Sequence, residues 1–348
     1  MAQEATSFPD DLQACRDLLR VGSKSFHAAS LLLPRRVRDP ATALYAFCRL
    51  GDDAVDEAED PSLGLAEMRA RLEAAYRGTP LDHPADRAFA VVVESHAMPR
   101  QLPEALLDGF AWDASGRTYE TLDDVHDYAA RVAGTVGAMM TLLMGVRSHI
   151  ALARATDLGT AMQLTNIARD VGDDARMGRL YLPRQWLREA DISPEAFLAD
   201  PKFSPAIGRI IARLLKEAGR LYAHAEPGIA MLPRDCRPAI RAAHRIYAEI
   251  GAEVARGGFD SVSRRAVVTS RRKMALLAQA WLPAMPRRAV AVEPPLRANA
   301  YLVYAVPATH LAIADQSLGD RIGWAVELFA QLDARNRMSQ TGAQGASR

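Results

Sequence analysis

Cysteine, lysine, strand signals and long apolar runs are all scarce in this chain of 348 residues. Cys15, Cys48 and Cys236 have no metal-binding or redox spacing and cannot form a disulfide framework, which fits a reducing cytoplasm. No stretch reaches the 18 or more apolar residues that a membrane span needs. The nearest candidate, 300–314, is interrupted by Pro307 and His310. The first ten residues hold no basic patch followed by an apolar run, so no signal peptide is expected. A cytoplasmic protein is the expectation, with a peripheral contact at the inner membrane left open. With only four lysines, the basic residues are nearly all arginine, and they are scattered. The formal net charge is +1, so nothing in the total points to nucleic acid. There is no P-loop, G-x-G-x-x-G or G-x-S-x-G pattern, which argues against nucleotide phosphoryl transfer, a dinucleotide fold and a serine hydrolase. The histidines are scattered, and none pairs with a Cys or Asp at catalytic spacing.

Long segments carry apolar residues at three- and four-residue spacing, broken by Pro and Gly. The pattern predicts helices near 9–21, 24–32, 38–58, 64–77, 84–97, 103–115, 121–148, 150–175, 204–225, 235–256, 264–282 and 316–335. With no internal repeat and no low-complexity linker, the expectation is a single all-α domain around a central apolar cavity. Residues 1–282 form its core. Residues 283–338, which include Pro283, Pro286, Pro294 and Pro295, add a Pro-rich connector and a helix of the same domain. Residues 339–348 are small and polar, the composition of a disordered tail.

Two polar stripes stand out. Gln163, Asn166, Asp170 and Asp174 recur at +3, +4, +4 and so share one side of a helix. Leu164, Ile167 and Val171 form an apolar stripe on another side. Two carboxylates one turn apart repel by roughly 0.2–0.5 kcal/mol on an exposed helix, and more where water is excluded. A cation would remove that cost. Upstream, Tyr45, Arg49, Asp52 and Asp56 recur at +4, +3, +4. Two such stripes on facing helices would make a cage of oxygen ligands suited to Mg²⁺ or Mn²⁺ rather than zinc. Mg²⁺ takes few carboxylates and shares its remaining positions with water and phosphate oxygens, so the constellation implies a diphosphate held between two helices.

Other stretches support this reading. Ser23 or Ser25 could cap a helix beside Lys24, a plausible phosphate site. Residues 128–144 are helical by apolar content yet carry Gly134 and Gly137, although interior Gly costs up to about 1 kcal/mol against Ala. Small residues there let a second helix or a ligand approach closely. An apolar groove that includes Val132, Ala133 and Gly137 and opens toward the acidic stripes would suit an isoprenoid tail. Arg179, in Gly178-Arg179-Leu180-Tyr181-Leu182-Pro183, would suit phosphate oxygens, with a surface Arg as the plainer reading. Arg264, Arg265, Arg271, Arg272 and Lys273 read first as a solvated basic face.

Five pieces occur here in one order: Gly22-Ser23-Lys24-Ser25-Phe26, the box from Tyr45 to Asp56, the stretch from Tyr128 to Gly137, the run from Leu158 to Asp170, and Gly178 to Pro183. In this the chain, over about residues 15–280, resembles the squalene/phytoene synthases, which join prenyl groups head to head. The bacterial phytoene synthases are the nearest likeness. Asp173, where relatives often carry Glu, is a mild departure that keeps the charge. The resemblance implies an all-α isoprenoid synthase fold, with Asp52, Asp56, Asn166, Asp170 and Asp174 holding Mg²⁺ on the substrate diphosphates. It implies Arg49, Arg169 and Arg179 around the departing diphosphate. Tyr45, Tyr128, Gln163, Tyr181 and Tyr247 would lie in or near the cavity, with Ser23 and Ser25 near a diphosphate.

The implied reaction is that of a prenyltransferase in carotenoid biosynthesis. Two molecules of geranylgeranyl diphosphate combine through prephytoene diphosphate to phytoene. No NADPH is expected, because the last cation loses a proton rather than accepting hydride. Other carotenoid-pathway enzymes are possible partners. The same chemistry on farnesyl diphosphate, giving squalene, dehydrosqualene or a presqualene product, is the nearest alternative, and cavity depth decides between the two. The alternative of another class is a non-catalytic binding or assembly protein on the same fold. Such a protein could lose its ligands without penalty, whereas both boxes here are complete.

Overall fold

The computed structural model describes residues 8–22, 30–56, 60–281 and 293–307. Among them there is no strand. The chain order is α1 (Phe8–Gly22), α2 (Arg35–Asp56), α3 (Pro61–Tyr76), α4 (Pro84–Ser95), α5 (Gln101–Ala114) and α6 (Leu122–Ala129). A π-helical turn (Ala130–Gly134) leads into α7 (Thr135–Leu143) and then α8 (His149–Arg176). After α8 come α9 (Arg184–Arg188), α10 (Pro194–Ala199), α11 (Pro205–Ile229), α12 (Arg237–Arg256) and α13 (Ser270–Gln279). A 3₁₀ turn (Arg297–Asn299) and α14 (Ala300–Tyr304) close the described chain.

The helix starts follow local chemistry. Asp60, Ser193, Ser204 and Thr269 each accept a hydrogen bond from a free backbone N–H of the first turn. Pro61, Pro194 and Pro205 occupy the first helical position, where a missing N–H costs nothing. Thr121 and Asp124 form a reciprocal capping box at the head of α6. The span expected at 121–148 is helical from Leu122 to Leu143 but passes through the π-turn. The helix expected to begin at 264 begins at Ser270, where Thr269 caps it. The short helices α9, α10 and α14 carry too few residues to show a period, and their absence from the expected set follows from that. The expected helices at 24–32 and 316–335 lie wholly or mainly outside the described residues, as does the 339–348 tail.

Helix α8 is central. It packs against α11, α7, α12 and the π-turn, while α2 packs against α1, α3, α4 and α5. At 28 residues it runs about 42 Å. Its neighbours approach unusually closely where glycine allows. A Cβ on Gly159 would stand 2.2 Å from Ala133 O, and one on Gly137 would stand 2.3 Å from Ala155 O. Gly137 therefore serves helix packing as well as the groove. Gly134 serves packing: its Cβ would meet Asn299 Oδ1 at 3.0 Å. A third contact sets the position of the loop after α12. A Cβ on Gly172 would lie 2.1 Å from Val262 O. The Gly172 N–H donates to Ser261 O at 2.9 Å, and Ser261 Oγ donates to Ala168 O at 2.5 Å. The loop is thereby stitched to the side of α8.

No described helix is long and apolar enough to cross a membrane. The glycine crossings yield a stability prediction. Gly159→Ala should destabilise the fold by about 1–3 kcal/mol, because its methyl group meets backbone that cannot rotate away. Urea unfolding read by circular dichroism measures this, and an unchanged midpoint would refute the close crossing.

Candidate active site

Near its C-terminal end α8 forms one wall of a cleft of about 160 Å³. Gln163, Asn166, Asp170 and Asp174 all line it, as their spacing requires of one helix side. Asp52 faces it from α2, Phe110 and Asp113 from α5, and Tyr128 from α6. Arg179 and Tyr181 come from the turn after α8, where Gly178 adopts φ +75° and sends the chain back. Asp56 ends α2, but its side chain lies outside the described residues, as do Ser23, Lys24 and Ser25.

Arginines occupy several of the carboxylates. Arg49 reaches Asp52 at 3.2 Å and Asp53 at 2.6 Å. Asp170 accepts from Arg169 Nε at 2.7 Å and from Arg265 Nε at 2.7 Å. Burial opposes its ionisation, but the two guanidinium groups outweigh that and hold its pKa below the usual carboxylate value. Asp174 has no such clamp. Burial, reinforced by the charges of Asp170 and Asp173, pushes it up to about 7, although Arg179 and Arg169 pull the other way. Two carboxylates on one stripe thus sit in opposite electrostatic settings. Arg265 is exposed, as a solvated basic face requires, and the stitched loop also carries it onto Asp170.

The donors suit a hard cation. They are oxygen atoms, and Asn166 Oδ1 is buried with no hydrogen-bond partner among the described residues. Its amide nitrogen leans toward Gln163 Oε1 at 3.4 Å. An orphaned buried acceptor and a carboxylate lifted to about 7 line the same cleft, which marks it as short of positive charge. Among the described residues no three His, Cys, Asp or Glu side chains already stand gathered around a metal position. Arginines hold Asp52 and Asp170 in this arrangement.

Asp113 escaped sequence reasoning. Tyr128 Oη donates to its Oδ2 at 2.9 Å, and Tyr181 Oη donates to its Oδ1 at 2.7 Å. The two rings stack with centroids 4.9 Å apart, and Tyr119 tilts against both. Burial drives the Tyr128 and Tyr181 hydroxyls far above their ordinary pKa, and the Asp113 charge adds to this, so both stay protonated as donors. Asp113 has no second carboxylate at helical spacing to single it out; its neighbour on the cleft face of α5 is Phe110.

Behind the cleft lies an apolar tunnel of about 350 Å³. Gln163 and Asn166 line both spaces, so the two adjoin on either side of these side chains. Tyr45, Val132, Ala133, Gly137 and Tyr247 line the tunnel, as expected for the groove and for the two tyrosines.

Comparison with known proteins agrees with this arrangement. The family model described as squalene/phytoene synthase matches residues 19–273. A phytoene synthase of Rhodobacter capsulatus is 56% identical over 292 residues, covering 83% of this chain and 86% of the relative. A phytoene synthase of Cereibacter sphaeroides is 50% identical over 343 residues, covering 94% and 95%. The crystal structure of a dehydrosqualene synthase in complex with ligand superposes with a TM-score of 0.72 at 31% identity, covering 78% of this chain and 96% of that one.

The tyrosine pair gives a second prediction. Asp113→Ala leaves two buried hydroxyls without their acceptor and should cost about 1–3 kcal/mol of stability. Asp113→Asn keeps one of the two acceptor oxygens and should recover only part of it. Equal unfolding midpoints for wild type and Asp113→Ala would show that the hydroxyls do not depend on Asp113.

Proposed function

The chain belongs to the squalene/phytoene synthase family and acts as a phytoene-forming prenyltransferase, and we propose that its substrate is geranylgeranyl diphosphate, two molecules of which it joins head to head with Mg²⁺. The observation that carries this reading is the junction at Gln163 and Asn166. There an apolar cavity adjoins a cleft of carboxylates and arginines. A prenyl diphosphate has the same division, a hydrocarbon tail and a strongly anionic head.

Asp52, Asp170, Asp174 and the orphaned Asn166 Oδ1 would hold the cation, joined by Asp56 on the sequence pattern. The ion would withdraw charge from the departing diphosphate. Mn²⁺ suits the same donors. The arginines have a complementary task. Arg179 lines the cleft, Arg49 stands beside Asp52, and Arg169 and Arg265 stand on Asp170, all placed to neutralise developing negative charge. Arg265 and Arg169 would compete with a bound cation for Asp170.

Loss of diphosphate from one substrate leaves an allylic cation. The double bond of the second substrate attacks it, and proton loss closes a cyclopropane to give prephytoene diphosphate. A second ionisation, rearrangement and proton loss give phytoene, with no reductant consumed. The tunnel walls keep water from the cations. Tyr128 and Tyr181 keep their protons and donate hydrogen bonds to Asp113, so their rings and hydroxyl oxygens would steady a cation rather than donate to the diphosphate. A hydrocarbon product that water does not dissolve fits a peripheral contact with the membrane, where other carotenoid-pathway enzymes could receive it.

Purified protein with Mg²⁺ and labelled geranylgeranyl diphosphate should yield a C40 hydrocarbon without NADPH. Chelation should stop the reaction and added Mg²⁺ restore it. Asp170→Asn should lower turnover by about 100-fold or more while the circular dichroism spectrum is kept. A C30 product alone, from farnesyl diphosphate, would move the substrate to the shorter prenyl group. Near-normal turnover of Asp170→Asn would overturn the metal assignment.

A further inference from the structure

Helix α6, the π-turn and α7 run on as one helix, and that helix serves both spaces. Tyr128 lines the cleft, while Val136, Gly137, Met140 and Met144 line the tunnel. The π-turn lies between the two groups. There the Thr135 N–H donates to Ala130 O, five residues back instead of four. Such turns are rare and occur mostly singly inside α-helices, often at functional sites.

The extra residue changes which side chains share a side. Gly137, Met140 and Met144 follow Tyr128 by nine, twelve and sixteen residues. At about 100° per residue, an unbroken α-helix would set them about 180°, 120° and 160° around from Tyr128, on the far side. The π-turn takes up one residue without advancing the helix, so the effective spacings are eight, eleven and fifteen. The angles become about 80°, 20° and 60°. Val136 falls within about 80° either way. Tyr128 is thereby brought to the side of the helix that carries the tunnel wall.

Three elements hold the turn. On α8, a Cβ on Gly159 would stand 2.2 Å from Ala133 O and 3.0 Å from Gly134 Cα. On α5, a Cβ on Gly109 would stand 2.6 Å from Val132 Cγ1, and Leu102 O accepts from Thr135 Oγ1 at 2.7 Å. The third element is the segment 293–306, whose Asn299 Oδ1 packs on Gly134 at the place a Cβ would meet it at 3.0 Å. Asn299 is fully buried, and both ends of its amide are used. Oδ1 accepts from Thr160 Oγ1 at 3.1 Å, and Nδ2 donates to Asp157 Oδ1 at 3.0 Å. Asp157 in turn stands 2.8 Å from His224 Nδ1 and 3.2 Å from Arg154 Nη2. Asn299 lines neither the cleft nor the tunnel.

We propose that the π-turn sets the register of the active-site helix, placing Tyr128 and the tunnel wall of α7 on one side, and that Asn299 is the positioning residue that seats it. The effect on turnover rests on the functional reading above. The carboxylates that would hold the cation stand on α2 and α8, so a slip of the turn moves the Tyr128 ring and leaves diphosphate binding in place.

Full-length protein with a fluorotyrosine at position 128 gives two readouts. One is the fluorine NMR shift; the other is kcat and KM with Mg²⁺ and geranylgeranyl diphosphate. Deletion of Ala130 restores a regular helix and should move the shift and lower kcat about 100-fold. Asn299→Ala should move the shift and lower kcat about tenfold, with KM kept within about twofold. Prenyl alcohol should appear beside the hydrocarbon, because a displaced wall admits water to the cation. Thr160→Val removes one hydrogen bond to Asn299 and serves if the larger changes prevent folding; it should lower kcat about threefold. Leu72→Val, in the core face of α3, controls for lost stability alone and should leave both readouts at wild-type values while folded. Folded Asn299→Ala or Thr160→Val with wild-type shift and kcat would overturn the proposal, as would an active, folded Ala130 deletion. So would a moved shift with unchanged kcat, a loss carried by KM alone, or changes that Leu72→Val reproduces. If wild type turns over no prenyl diphosphate, the functional reading falls, and the fluorine shift alone decides whether Asn299 sets the register.

Discussion

A reactive carbocation needs a dry hydrocarbon wall, and a departing diphosphate needs charge, and α8 must supply both along one face. Its C-terminal half carries Gln163, Asn166, Asp170 and Asp174 into the cleft, and its N-terminal half carries Leu158, Ala155 and Ala151 into the tunnel. Everything packed around α8 serves this division. Glycine crossings bring the π-turn and α7 close enough to close the tunnel without filling it. The loop stitched to Ala168 and Gly172 brings an arginine to the charged end.

Charge in the cleft is unevenly shared, and this asymmetry is chemically useful. Asp170 is held ionised by Arg169 and Arg265, while Asp174 on the next turn is pushed up to about 7 by burial and by the charge of Asp170. Asn166 Oδ1, which has no hydrogen-bond partner among the described residues, lines the same cleft. Asp113 sits apart, fully occupied by two tyrosine hydroxyls, and so acts on their orientation rather than on a metal.

Much of this was legible in the residue order, and particular residues show why. The stripe from Gln163 to Asp174 and the all-helical reading both rest on a period of 3.6 residues, which is a local property. Gly137 was found because a small residue in an apolar helix implies close approach. Gly134 shows the limit of that rule: the same smallness serves Asn299, not the tunnel. Arg265 reads as one more surface arginine until the loop after α12 is seen pinned to α8. Asp113 gives no local signal at all, because its partners lie 15 and 68 positions away.

Sequence alone determined the helices, the oxygen-donor chemistry of the two boxes and the apolar character of the groove, since each follows from spacing within a few turns or from residue type. Tertiary structure decided which of those side chains meet. Arg265 crosses 95 positions to reach Asp170, and Arg154 crosses 139 to bind the carbonyl of Glu293. Contacts of that range carry no period. They depend on how close two backbones can come, and here that is set by glycines whose neighbours only the folded chain reveals.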